Sequence, residues 1–178
     1  MSAAKLPVEA SRSSAPPSSA IEHVTGIVAI LGGMLALAVA LLATTSVLMR
    51  WLVNAPIDGD FEFVKIATAV AVFAYLPYTQ ARRGNIMVDT FTGWMSQRAR
   101  DVIDAFWDLI YAAFMSYIAY SLVIGTLEAI HTGETTMQRQ LLIWPSIGVS
   151  ALLCALLAVT AFATAWRLLR AAWQRVSP

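Results

Sequence analysis

The sequence predicts an all-α integral membrane protein with four transmembrane helices, both termini cytoplasmic, and a short amphipathic interfacial helix between helices 2 and 3. Three observations carry that prediction. Of 178 residues, 58% are hydrophobic and only 13% are charged, against about 25% charged in an ordinary soluble domain. Charged residues are absent from four long stretches, 24–49, 66–81, 109–127 and 140–166. The basic residues gather on one side of the four stretches and not on the other.

Crossing the hydrocarbon takes roughly 20 apolar residues in a helix. The first, third and fourth stretches are long enough unaided. The second reaches that length once Phe61 and Phe63 are added, with Glu62 and Lys65 at the interface. The expected spans are therefore about 24–49, 61–81, 105–127 and 144–166, inside a membrane domain covering 21–175. No period-2 alternation marks a transmembrane barrel. Aromatic residues sit where headgroup anchors belong, with Trp51 closing span 1 and Tyr75 and Tyr78 near the end of span 2. Trp107 and Tyr111 open span 3, while Trp144 precedes and Trp166 ends span 4. Pro145 suits the first turn of the fourth helix, where a missing N–H costs nothing.

Residues 1–20 are rich in Ser, Ala and Pro and are expected to be a disordered cytoplasmic N-terminus. The uncharged run that follows is far longer than the ~7–15 residues of a signal-peptide core, so the first helix is expected to stay uncleaved. Lys5, Arg12, Arg82, Arg83, Arg98, Arg100, Arg167, Arg170 and Arg175 fall on one side of the spans. Arg50, Lys65 and Arg139 fall on the other, together with Asp58, Asp60, Glu62, Glu128 and Glu134. The positive-inside rule then places both termini in the cytoplasm.

Between spans 2 and 3, Met87, Val88, Phe91, Trp94 and Met95 recur at three- and four-residue spacing, with Asp89, Thr90 and Gln97 elsewhere. Residues 86–100 are expected to lie as an amphipathic helix in the interface plane. Gly84 permits a tight exit from the second helix, and Arg82 and Arg83 suit anionic headgroups. Arg100 and Asp104, four apart, are spaced to pair.

Catalytic and cofactor chemistry find no footing. Cys154 is the single cysteine and reads as a small packing residue. With only His23 and His131 beside it, neither a zinc site nor a haem site can be assembled. A net charge of +1 argues against nucleic acid as a partner. No ionisable residue lies deep in a span, where a transport path would place one. Glu62 and Lys65 come nearest, three apart near the start of the second helix, and are expected to form an ion pair at the outer interface. Gly32, Gly33 and Ala36 offer a small-residue face for helix packing. Two readings follow from the residues: a scaffold, or a small homo-oligomeric transporter or channel using Glu62 and Lys65.

From about Ile21 onward the chain resembles the small membrane subunit of tripartite ATP-independent periplasmic (TRAP) transporters, the DctQ-like family. Glu62 matches an acidic residue near the start of that family's second helix. Arg82-Arg83-Gly84-Asn85-Ile86-Met87-Val88-Asp89 matches its Arg-x-Gly-x-x-Ile-x-Val-Asp motif, with Asn85 where His is frequent. Gly133-Glu134-Thr135 and Trp144-Pro145 match its last loop and the opening of its last helix, although the order Trp-Pro departs from the usual Pro-x-Trp.

The resemblance implies a non-catalytic, cofactor-free subunit in the bacterial inner membrane. It implies pairing with a large multi-helix transport subunit that carries the substrate and sodium sites. A periplasmic binding protein would engage transiently to deliver an organic acid. Glu62, Lys65, Arg82, Arg83, Gly84, Val88, Asp89, Phe91, Trp94, Trp144 and Pro145 are the residues expected to face the partner or the lipid.

Overall fold

A computed structural model describes residues 20–55, 57–82 and 97–174. They form four helices: α1 (Ala20–Val53), α2 (Asp60–Ala81), α3 (Gln97–Thr132) and α4 (Trp144–Gln174). All four are long and apolar enough to cross a membrane. At ~1.5 Å per residue, the 34 residues of α1 and the 36 of α3 extend about 50 Å, well beyond a hydrocarbon core of about 30 Å. These helices run past the expected spans at both ends. Of the segment 86–100 expected as an interfacial helix, 86–96 lies outside the described residues, with Val88, Asp89, Phe91 and Trp94, and so do Arg83 and Gly84 before it; 97–100 begins α3. The side chain of Arg100 lies outside them too, so the Arg100–Asp104 pairing is not described.

The principal helix pairings are α1 with α2, α2 with α4, and α3 with α4. Thus α2 and α4 occupy the middle, and α1 and α3 flank them. Burial follows this order: half of the most apolar window of α4 is buried, against 22% for α2, 11% for α3 and 6% for α1. Lipid tails are as apolar as leucine, so no hydrophobic force drives helices together inside a bilayer, and close van der Waals fit has to do it. The buried positions are accordingly small. Ala105, Ala112 and Ala119 recur every seven residues on α3, and Ala151, Cys154, Ala158, Ala161 and Ala165 alternate steps of three and four on α4. This spacing belongs to helices packed side by side at a shallow angle. The two rows meet where Cys154 Sγ lies 3.4 Å from the carbonyl of Met115. A second row on α4, Leu153, Leu157, Thr160 and Thr164, is also buried. Leu153 shares a small cavity of about 200 Å³ with Gly32 of α1 and Ala74 of α2.

At Gly32, on the expected small-residue face, α1 and α2 approach closely. A Cβ added there would stand 2.7 Å from the Cβ of Ala74. Buried threonine hydroxyls are satisfied within their own helices: Thr25 donates to Ile21 O at 2.9 Å, and Thr160 to Leu157 O at 2.7 Å. Pro77 sits inside α2 and is buried. It removes the amide that would have bonded the carbonyl of Phe73.

Candidate functional site: a carboxylate-centred lock between two loops

Short connections at one end of the molecule bring the α1–α2 loop and the α3–α4 loop together. The first begins at Asn54, whose φ of 55° turns the chain out of α1, and ends at Gly59, φ 77°, which caps α2. Glycine is required at 59 for two reasons. Its left-handed backbone suits a residue without a Cβ. An added Cβ would also lie 2.5 Å from Cγ of Arg139, in the other loop. Ser46, about two turns before the end of α1, hydrogen-bonds the Asp60 carboxylate and accepts the Ile57 amide at 3.3 Å. Asp60 also takes the Phe61 amide at 2.7 Å.

The second loop leaves α3 through Gly133, φ 66°, with the Glu134 amide bonding back to Ala129 O at 3.3 Å, a C-terminal cap. It then doubles back on itself. The Thr136 amide bonds Leu141 O at 2.9 Å, the Ile143 amide bonds Glu134 O at 3.3 Å, and Gln140 turns the chain at φ 52°. Pro145 stands in the first turn of α4 behind Trp144.

Glu62 joins the two loops. Its side chain, on the first turn of α2, points into the small hairpin and accepts three hydrogen bonds: Thr136 Oγ1 at 2.7 Å, the Gln138 amide at 2.6 Å and the Arg139 amide at 3.1 Å. Thr136 Oγ1 in turn accepts the Leu141 amide at 3.0 Å. The residue is only 8% exposed, and a buried carboxylate is tolerable when its oxygens are this fully occupied. Arg139 closes the circuit from the other side, its Nε donating to Asp58 O at 3.2 Å and its guanidinium standing 3.9 Å from the Asp58 carboxylate.

The expected pair of Glu62 with Lys65 is therefore not made. The three N–H and O–H donors of the hairpin hold both carboxylate oxygens toward the α3–α4 loop. Among the described residues Lys65 makes no ion pair. It lines a groove of about 460 Å³ with Phe61, Ile66 and Met137. Beside the lock lies a polar hollow of about 600 Å³ lined by Arg50, Asp58, Asp60, Gln138 and Arg139. Its two cations face two carboxylates, so it offers hydrogen-bonding groups without a strong field of either sign. Thr136, Gln138 and Arg139, which hold Glu62, were not singled out from sequence. Two of them act through main-chain amides, which every residue but proline possesses, and only Gly133-Glu134-Thr135 marked the neighbourhood.

The opposite end is held by side chains of all four helices. Gln80 of α2 is 3% exposed and donates to Asp108 of α3 at 2.9 Å, while Arg167 of α4 pairs with Glu22 of α1 at 3.4 Å. Arg82 stacks over Tyr78, with 5.4 Å between the guanidinium and the ring centre.

Residues 39–171 match the family described as "Tripartite ATP-independent periplasmic transporters, DctQ component". No curated protein and no solved structure matches the chain.

Proposed function

The chain belongs to the DctQ component family of tripartite ATP-independent periplasmic transporters, and from that premise we propose that it is the non-catalytic small membrane subunit bracing a large sodium-coupled transport subunit. In this role it widens the immobile scaffold in the bacterial inner membrane, with both termini cytoplasmic and the loop lock facing the periplasm. The polar hollow beside the lock then lies where a periplasmic binding protein bringing an organic acid would dock.

The observation that carries this reading is the use made of Glu62. The acidic residue closest to a span holds the α3–α4 loop in place and offers no free carboxylate to a moving solute. That weighs against a self-contained homo-oligomeric channel built on Glu62 and Lys65. A rigid outer end also suits a subunit that braces and does not move. The test is co-purification from the native host in mild detergent, using a C-terminal tag and intact-mass identification of co-eluting chains. A stoichiometric, larger and very hydrophobic partner is the expected result. A clean homo-oligomer that moves solute in proteoliposomes by itself would overturn the assignment.

A further inference from the structure

A groove of about 550 Å³ runs between α3 and α4 on one side of the molecule, lined by Leu109, Ala113, Ser116, Ala155, Val159 and Phe162 among others. Its single hydroxyl, Ser116 Oγ, already donates to Ala112 O at 2.8 Å, so nothing polar in its wall asks for a partner. Along α4 the same face continues past Phe162 at steps of three and four residues to Trp166, Leu169, Arg170 and Trp173, which line a second concavity. The guanidinium of Arg170 lies over the Trp166 ring, 5.1 Å from its centre. Among the described residues no carboxylate pairs with it. On this face of α4 an apolar groove is thus followed, one turn further on, by a concavity whose cation meets no carboxylate among the described residues and is flanked by two indoles.

We propose that this groove holds an acyl chain of one anionic phospholipid, whose phosphate lies against Arg170. From Leu109 to Ala119 the α3 wall rises about 15 Å, the depth of one leaflet of a core about 30 Å thick. The aromatic rings and cation fall at the end where headgroups lie. The charge complementarity selects a lipid over a partner helix, since an apolar helix would fill the groove and leave Arg170 unanswered. The site depends on the four spans alone, not on the scaffold role or on which leaflet Arg170 faces.

The test is native mass spectrometry of the full chain with any partner it brings, released from mixed micelles holding equal phosphatidylglycerol and phosphatidylcholine of the same acyl chains. One retained phosphatidylglycerol per chain is expected, several-fold over phosphatidylcholine. Ala113 and Ala155 are exposed, so the double change Ala113→Phe with Ala155→Phe fills the groove without entering the helix contact, and it should abolish retention. Arg170→Gln should keep one lipid but bring the two headgroups to parity. Equal retention in the filled variant, or an unchanged headgroup ratio in Arg170→Gln, overturns the proposal. So does loss of a protein partner from the filled variant when the wild type holds no lipid, which would assign the groove to a partner helix. The same spectra report the partner independently, so failure of the lipid site is distinguishable from failure of the subunit assignment.

Discussion

Both carboxylate oxygens of Glu62 are occupied by donors 74 to 77 residues further along the chain. An amide in its place keeps one acceptor oxygen but turns an NH₂ toward main-chain N–H groups, so donors face donors. Glu62→Gln should therefore release the hairpin without unfolding the spans. Trypsin cleavage after Arg139, a half-exposed side chain in that hairpin, is expected to speed up several-fold in the intact detergent-solubilised protein. Thr136→Val removes one donor of the three and should have a smaller effect. An unchanged cleavage rate in Glu62→Gln would mean that the loop holds itself and that the carboxylate is incidental.

Between helices the decisive quantity is how near two backbones can come, and adjacent glycines on α1 separate cleanly on this measure. A methyl group at Gly32 meets Ala74 Cβ at 2.7 Å, and at Gly33 it meets only the phenolic tip of Tyr75 at 3.4 Å. Alanine improves helix propensity at either position. Even so, Gly32→Ala should destabilise by about 1–3 kcal/mol, because the methyl overpacks against a neighbour that cannot rotate away. Gly33→Ala should stay within about 0.5 kcal/mol of wild type. Unfolding in SDS-containing mixed micelles measures both, and equal stability of the two variants would refute the close approach.

The helices themselves were legible in the charge gaps because the penalty for burying a charge in hydrocarbon is large and local. Their lateral order was not. Val72 on α2 and Leu152 on α4 are exposed although their helices lie in the middle, because lipid rewards an apolar residue on any face. Burial inside the molecule therefore leaves no amphipathic signal to read. The partners of Glu62 were hidden for a different reason: amide donors carry no sequence signature.

At the scale of the whole molecule the orientation can be checked with single cysteines, since Cys154 is fully buried and gives a quiet background. Met137→Cys, at a fully exposed loop position, should label with an impermeant maleimide in spheroplasts. Arg82→Cys, exposed at the other end of α2, should label only after permeabilisation. The reverse pattern would invert the topology and turn the loop lock toward the cytoplasm.

The central place of α4 sets the order of assembly during synthesis. As the ribosome releases the chain, α1 and α2 can pair at once, but among the described residues α3 packs principally against α4, with the Gln80–Asp108 bond reaching back to α2. The partner along its length is the segment still to be translated, and so is the hairpin that closes on Glu62. The last span to emerge must slide between neighbours already in the bilayer. Until it does, the nascent protein is one helical hairpin and a third helix still without its principal partner, the form in which membrane quality control would meet any prematurely stopped product.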